Sequence, residues 1–397
     1  MTISPLLASY FRMQQSALSR TSEGRHFATL ANGNLPGAGD RFLQSDLALT
    51  LKAVAAHGAD YMYTGDWARH FVAFVRAQGG KASLEDLARY KPEWRDPQEL
   101  PFAGASVFGL DAAAGGGCPT LEALSLLPNL AGQQPYWRDP TTFLSYVRAL
   151  RLAQYGRYLP QFADLETHGL AACGKRITPE HAKEMLANAG AVLEARPDGP
   201  ADRGHHTESV VVLDRWGNVA ALVHSINAVV WGHTGIIVDG IPIADAAAIN
   251  KQYLLASKPG SALPSDLAPV IALRNGKPIL AVATVGSSVV LENVRLVAGV
   301  LGAGQDLQTL MDAPPLLLNT APPTDKPISA WPEPIPLNTY DADFLNALRL
   351  KGLPVQEETP ERTRAIRGTA AALVIDQKSH VSHAVEVPGI ITYAEGR

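Results

Sequence analysis

The sequence has little charge and almost no cysteine. Of its 397 residues 18% are charged, and 34 Lys and Arg nearly balance 38 Asp and Glu, for a formal net charge of -4. Nucleic-acid-binding proteins usually carry a basic face, so this balance argues against a nucleic-acid partner. The two cysteines, Cys118 and Cys173, are too few for a disulfide framework and lack metal-ligand spacing. They could form one bridge, but two buried thiols are the preferred interpretation.

Long apolar segments are also missing. No stretch reaches the ~20 uninterrupted apolar residues of a spanning helix, and the start, MTISPLLASYF, lacks the basic segment and apolar run of a signal peptide. As written, the chain is therefore expected in the cytoplasm, with no membrane partner. A true start further upstream would change that expectation to a periplasmic or secreted protein. A hydrophobic fraction of 46% supplies ample core material.

The first half of the sequence has helical spacing. Leucines and alanines recur every three or four residues after Ser45-Asp46, until Gly58 ends the pattern. Further helices are predicted after Asp66, after Ser83, and over residues 119–130, 140–158 and 179–195. Segment 196–206 is rich in Pro, Gly and charge, which predicts an exposed, mobile linker.

The second half changes to the two-residue period of strands. Hairpins are predicted over 207–227, over 270–285 around the turn Asn275-Gly276, and over 371–387, with a helix at 288–303. Helices first and then paired strands indicate an α+β fold. The expected organisation is a helical region 1–195, the linker 196–206, and a strand-rich region 207–397.

Thr207 lies where the predicted linker meets the first of these strands. A β-branched residue at a strand start is ordinary, so position alone does not indicate chemistry. The residues after it do, because Asp214, Gly217-Asn218 and Ser225-Ile226-Asn227 follow at a characteristic spacing. Their order matches, without gaps, the start of the small subunit in gamma-glutamyltranspeptidases. The sequence therefore resembles that family.

Two later segments extend the resemblance. Residues 260–269 fit a Gly-led family segment with two adjacent serines, with Ser265 at the first serine and Asp266 at the second. Gly286-Ser287-Ser288 fits a segment that pairs two glycines and a serine after a strand. Residues 43–94 look like the C-terminal part of the family's large subunit. The likeness thus covers about residues 5 to 395.

The resemblance implies a four-layer αββα sandwich of the N-terminal-nucleophile hydrolase type, made as a zymogen. Members of the family cut their own chain, here between His206 and Thr207, which gives Thr207 a free α-amine. An amine with a pKa near ~7.7 suits the role of general base at neutral pH. The two fragments would stay associated, and the protein could form a homo-oligomer. No cofactor is expected.

The resemblance also assigns the site. Thr207 would become the acyl-enzyme, and Ser225 would hydrogen-bond it. The backbone N–H groups of Gly286 and Ser287 would stabilise the oxyanion. Asn227, Ser265 and Asp266 would hold a small-molecule amide or peptide substrate. Water as acceptor gives hydrolysis, and an amine gives acyl transfer, as in glutathione metabolism.

Several positions depart from the family pattern. The Arg that clamps the substrate α-carboxylate in the family has no counterpart, and its amine-binding Gln and Asp correspond to Ile241 and Ala244. Asp239 or Asp245 could substitute with a shifted register. The second residue of the usual Thr-Thr pair is Glu208. These departures motivate an alternative: a catalytically inactive member that acts as a binding or interaction protein.

Four histidines near the hairpin invite a metal interpretation: His205, His206, His224 and His233. No Cys or carboxylate completes a recognised spacing, and paired histidines in a linker are usually solvated. The sequence therefore predicts no metal site.

Overall fold

The computed structural model describes residues 1–110, 116–132, 134–156, 170–194, 206–228, 230–245, 255, 258, 260, 267–286, 288–319, 326–376 and 382–385. By its internal contacts the chain divides into two units, and each unit combines two separate stretches of sequence. The first unit comprises Met1–Trp94 and Ile226–Leu255, and the second comprises Arg95–Ser225 and Ala256–Arg397.

The described α-helices are, in chain order, α1 (Pro5–Leu18), α2 (Ser22–Phe27), α3 (Ser45–His57), α4 (Asp60–Tyr63), α5 (Asp66–Ala77), α6 (Leu84–Arg89), α7 (Gly117–Leu126), α8 (Pro140–Tyr155), α9 (Leu170–Arg176), α10 (Pro179–Ala187), α11 (Ala189–Glu194), α12 (Val289–Val297), α13 (Leu307–Asp312), α14 (Ala342–Leu350) and α15 (Pro360–Ile366). The described strands are β1 (Gln98–Phe102), β2 (Ala105–Gly109), β3 (His206–Leu213), β4 (Val219–Ala228), β5 (Ile236–Val238), β6 (Ile241–Ile243), β7 (Val270–Arg274), β8 (Lys277–Gly286), β9 (Glu333–Pro336), β10 (Val355–Glu358), β11 (Gly368–Ile375) and β12 (Ser382–Val385).

An aromatic cluster forms the core of the first unit. Phe11 of α1 is fully buried, and its ring meets Phe42 edge-on, with 5.3 Å between the ring centroids. Trp231 closes the cluster, 4.7 Å from Phe11 and 5.3 Å from Phe27. Each aromatic side chain removes a large apolar area from water, so a few rings can hold a small helical unit together.

Helix α3 confirms the prediction from leucine spacing, but most of its side chains are not buried. Within the described part of the chain, its one buried residue is Thr50, whose hydroxyl donates to the backbone oxygen of Asp239 at 2.7 Å. Leu49 and Leu51 are 66% and 58% exposed. The periodicity therefore predicted the helix correctly without indicating which residues would be buried.

The second unit is built on an antiparallel sheet with the strand order β1-β2-β7-β8-β11-β12. The predicted hairpin of β7 and β8 is confirmed, and its turn residues Asn275 and Gly276 have φ angles of 51° and 74°. Positive φ at both positions matches the twist of a tight hairpin, which explains the strength of the Asn-Gly signal.

Helices and a second small sheet cover this six-stranded sheet. Helix α7 packs against β1 and β2, α12 packs against β8 and β11, and β3 of the two-stranded β3–β4 sheet also lies against β8 and β11. Side chains 280–283 of β8 are completely buried, as is Val294 of α12. The fold is thus mixed helix and antiparallel sheet, as predicted. The fourth layer of the expected sandwich stays a prediction.

The sequence analysis did not predict β1 and β2. Pro101 interrupts the first of them, and Ala103-Gly104 forms the connecting turn with φ angles of 49° and 73°. Proline lacks a donor for the sheet ladder and is confined to edge strands, and β1 is the edge strand here. Small residues around the turn weaken the alternation that normally marks a strand.

The prediction of two free thiols is wrong. Cys118 of α7 and Cys173 of α9 are both fully buried and form a disulfide, with their Cα atoms 5.6 Å apart. The two residues are separated by 55 positions. No local sequence pattern indicates that α7 and α9 bring the two cysteines together, so the disulfide could be recognised only from the three-dimensional structure.

Two buried ion-pair networks tie the helices of the second unit together. Glu122 accepts a 2.8 Å hydrogen bond from Nε of Arg176 through one oxygen and contacts Nε2 of His181 at 2.8 Å through the other. Arg151 donates from two nitrogens to both oxygens of Glu333, at 2.7 and 2.6 Å. Such bidentate pairs fix geometry, and loss of one partner leaves an uncompensated buried charge.

Candidate active site

Thr207 is the second residue of β3 and meets Ser225 of β4. The Thr207 hydroxyl donates to Oγ of Ser225 at 3.2 Å, and both residues are half-buried. The contact is at the long end for two hydroxyls, but catalytic hydrogen bonds are often loose before substrate binds. The structure therefore brings together the predicted nucleophile and its predicted partner.

Glu208 lies on the other face of β3 from Thr207. Successive strand residues point to opposite faces, and from Thr207 to Leu213 the odd-numbered residues are half-buried while the even-numbered ones are exposed. The Glu208 carboxylate is 3.9 Å from Nδ1 of His224, and its side chain is 88% exposed. The departure from the family's Thr-Thr pair thus falls on the exposed face of the strand.

The turn between β3 and β4 depends on Asp214. One carboxylate oxygen of Asp214 accepts from the backbone N–H groups of Trp216 and Asn218 at 2.8 and 2.9 Å, and the other accepts from the Asn218 side chain at 2.8 Å. The Asn218 side-chain bond is the main reason that the pKa of Asp214 is lowered. Gly217 supplies the positive φ of 87°. These residues of the family pattern therefore set the register of the strand pair that carries Thr207.

A tight turn joins β8 to α12 at Gly286. Gly286 has a φ of 96° and pairs with Gly368 of β11, and a Cβ on Gly286 would lie 3.2 Å from the backbone oxygen of Arg367. Ser288 is buried, and its hydroxyl donates to the backbone oxygen of Ile366 at 2.6 Å. The turn is thus held on both sides by the segment that leads into β11.

Several predicted site positions fall outside the part of the chain that the structure describes. Ser265, Asp266 and Ser287 lie outside the described residues. The backbones of His206 and Asn227 belong to β3 and β4, but their side chains are not described. The linker over 196–206 stays a prediction, because residues 196–205 are outside the described chain; His206 is the first residue of β3. The proposed cleavage point therefore falls between the first two residues of a strand.

Asn293 is a site-supporting residue that the sequence analysis missed. It is fully buried in α12, and its side-chain amide donates to the backbone oxygen of Ala268 at 2.6 Å. Ala268 lies two residues before β7, so this bond fixes the chain just before that strand. The available signal was an Asn between apolar residues and Glu292 in a predicted helix, since a buried amide needs a partner.

The two acidic residues considered as ligands for a substrate amine both have partners. Asp239 has a φ of 49° at the β5–β6 turn, and its carboxylate is 2.8 Å from Nδ1 of His70. Asp245 accepts from the backbone N–H of His233 at 3.1 Å. Each side chain is therefore engaged within the first unit, where it shapes a loop.

Neither a metal cluster nor a spanning helix is found in the regions that the structure describes. No group of three or more His, Cys, Asp and Glu side chains there is arranged to hold a metal ion. None of the helices in these regions combines the length and the apolarity needed to cross a bilayer.

The fold is similar to that of a solved acylase. The chain superposes on a cephalosporin acylase from Bacillus halodurans with a TM-score of 0.78, covering 98% of this chain and 70% of the acylase at 21% identity. At that identity the likeness concerns the fold alone, and it agrees with the mixed helix and sheet fold that the sequence predicted.

The family follows from the sequence match. The model of the family described as gamma-glutamyltranspeptidase matches residues 1–384, and the chain belongs to that family. A glutathione hydrolase proenzyme from Pseudomonas sp. (strain A14) is 25% identical over 357 residues, which are 80% of this chain and 61% of that protein. Acylase ACY 1 proenzyme from Pseudomonas sp. (strain SE83) is 27% identical over 305 residues, 70% of this chain and 52% of that protein. The chain thus spans between half and two thirds of these relatives' length.

Proposed function

We propose that this protein is an amide hydrolase or acyl transferase whose nucleophile is Thr207, freed by self-cleavage. The observation that carries the proposal is the contact of the Thr207 hydroxyl with Ser225, inside a strand pair with the family's spacing. A threonine hydroxyl is a poor nucleophile and needs an adjacent base. Ser225 orients the hydroxyl, and the α-amine of Thr207 removes its proton once the chain is cut.

Cleavage uses the same hydroxyl. Oγ of Thr207 attacks the carbonyl carbon of His206, the peptide C–N bond breaks, and the nitrogen takes a proton to become the free amine of Thr207. An ester now joins the His206 carbonyl to the Thr207 oxygen, and water hydrolyses it. Because the bond lies at the very start of β3, the new carboxyl end can leave without disrupting the rest of the strand.

Turnover repeats this chemistry on a substrate amide. Thr207 attacks the amide carbonyl, the amine leaves, and the acyl-enzyme is resolved by water or by an acceptor amine. Backbone N–H groups of Gly286 and Ser287 are assigned to the oxyanion, a role in which each preorganised donor contributes roughly 3 kcal/mol. Glutathione hydrolysis and β-lactam side-chain hydrolysis are the activities that the relatives' names suggest.

A denaturing gel with mass spectrometry tests the proposal. Purified protein should separate into two fragments, one that ends at His206 and one that begins at Thr207, and the Thr207→Ala variant should stay intact. Glu208→Gln is the matched control, since its exposed side chain lies on the opposite face of the same strand, and it should be cut normally. An uncut wild-type chain after long incubation, or a cut Thr207→Ala chain, refutes the assignment.

An inactive binding protein is the second candidate function. The observation in its favour is that Asp239 and Asp245 are already engaged by His70 and His233. A folded, persistently uncut wild-type chain would select this function.

A further inference from the structure

A small cavity opens in the second unit between Asn319, the β9–β10 strand pair and α15. Its volume is about 180 Å³, and polar and apolar side chains share its lining. The polar ones are Asn319, Gln356, Glu358 and Arg362, and the apolar ones include Ile366. An apolar cavity of ~150 Å³ holds one benzene molecule. The space therefore suits a ligand of about six non-hydrogen atoms.

The Asn319 wall of this cavity is fixed from beneath by a buried ion pair. The backbone N–H of Asn319 donates to the Glu333 carboxylate at 2.8 Å, and its backbone oxygen accepts from Arg151 at 3.0 Å. The Asn319 side-chain amide donates to the backbone oxygen of Pro332 at 3.1 Å. A wall held in this way loses little conformational freedom when a ligand binds.

The cavity carries one charge of each sign. The backbone N–H of Arg362 donates to the Thr359 side chain, while its guanidinium forms no ion pair among the residues that the structure describes. Glu358 accepts a 3.3 Å hydrogen bond from the Gln356 side chain. A simple anion would be attracted by Arg362 but repelled by Glu358, whereas a small zwitterion matches both. The charges thus favour an α-amino acid over a singly charged ligand.

One wall of the cavity also holds the candidate oxyanion turn. Ile366 lines the cavity, and its backbone oxygen accepts the 2.6 Å hydrogen bond from the buried hydroxyl of Ser288. Ser288 directly follows Gly286 and Ser287 in the sequence. A ligand that packs against Ile366 therefore acts on the residue to which the turn is tied.

We propose that this cavity binds a small zwitterionic α-amino acid, and that its occupancy is transmitted through Ile366 to the Gly286 turn. The Arg362 guanidinium receives the carboxylate, Glu358 receives the ammonium group, and a short side chain packs against Ile366. Binding itself does not depend on the proposed function. The consequence for catalysis rests on it, because only there does the turn stabilise an oxyanion.

Three probes with related skeletons test the binding site. L-Alanine carries both charges, propanoate lacks the ammonium group and ethylamine lacks the carboxylate. In calorimetric titrations of the wild type, L-alanine should bind with a Kd on the order of 1 mM, and each singly charged probe at least about 10-fold more weakly. No binding of L-alanine, or equal affinities for the three probes, overturns the proposal.

Substitutions locate the bound amino acid. Arg362→Gln and Glu358→Gln should each weaken L-alanine at least about 10-fold. Arg364→Gln, an exposed position on the same helix, should leave the Kd unchanged, and so should Thr207→Ala. An unchanged Kd in Arg362→Gln overturns the site, and loss of binding in Thr207→Ala would place the amino acid at Thr207 instead.

Hydrogen exchange tests the transmission to the turn. The backbone N–H of Glu292 donates to the Ser288 oxygen at 3.0 Å and reports on the start of α12. L-Alanine at about ten times its Kd should slow exchange of this amide several-fold, toward a mass-action limit of about 10-fold, with no effect in Arg362→Gln. Unchanged exchange in the saturated wild type overturns the transmission. Neither measurement needs turnover, so a chain that binds L-alanine but stays uncut keeps this site while the hydrolase proposal fails.

Discussion

Replacing Cys118 and Cys173 together by alanine removes the covalent link between α7 and α9. The two positions enclose a loop with a separation of 55 residues. In the chain-entropy description of disulfides, closing a loop of this length restricts the unfolded chain enough to stabilise the fold by about 4 kcal/mol. Each 1.4 kcal/mol changes the unfolding equilibrium constant by a factor of ten, so the unfolded population of the second unit should rise about 10³-fold.

Hydrogen exchange measures this effect locally. Amides of α7 that exchange through opening of the second unit should exchange about 10³-fold faster in the double-alanine variant. Amides of α5, in the first unit, should be unaffected and serve as the internal control. Dithiothreitol should speed exchange in the wild type and not in the variant. Unchanged protection of α7, or an equal acceleration in α5, would refute the reasoning.

Three further substitutions test the buried charge, a helix cap and the site turn. Glu122→Gln should lower the free energy of unfolding in urea by about 3–5 kcal/mol, because the Arg176 guanidinium is left buried without a carboxylate partner. Glu184→Gln, at an exposed position, should lower it by under ~0.5 kcal/mol, and equal effects of the two substitutions would contradict this reasoning. Burial raises the pKa of Asp139, but hydrogen bonds from the first turn of α8 lower it more, to a net value below the ordinary range. Asp139→Ala should therefore lower the free energy of unfolding by about 1 kcal/mol at pH 7. This difference from the wild type should begin to shrink below pH ~4 and disappear as the pH falls through the folded-state pKa of Asp139; a difference that is independent of pH in urea titrations would contradict this. Gly286→Ala should lower the free energy of unfolding by about 1–3 kcal/mol and slow fragment formation, because the φ of 96° at this position is strained for alanine. An unchanged melting temperature of the variant would contradict this.

Local chemistry explains the parts of the fold that the sequence predicted. The Asn275-Gly276 hairpin and the helix that follows Thr178-Pro179 both formed as expected. In each case the signal and the structure it specifies lie within a few residues. The predicted helix 179–195 is divided at Asn188 into α10 and α11, an interruption that the apolar spacing did not reveal.

Long-range pairing explains most of what was missed. The Cys118–Cys173 disulfide and the position of Arg367 beside Gly286 depend on contacts between residues far apart in sequence. The Thr207–Ser225 contact was predictable because a single hairpin turn fixes its register. The sequence thus located the candidate nucleophile, while the pairing of Gly286 with Gly368 became visible only in the fold.

The opposed pair Gly286 and Gly368 also limits how the protein can be redesigned. A Cβ on Gly368 would lie 2.9 Å from the backbone oxygen of Ser288, and Gly286 needs a backbone angle that other residues rarely adopt. Randomising either codon in a directed-evolution library would mostly yield misfolded clones. Diversity is better placed at exposed positions such as Glu208, where a new side chain leaves the strands that frame the turn undisturbed.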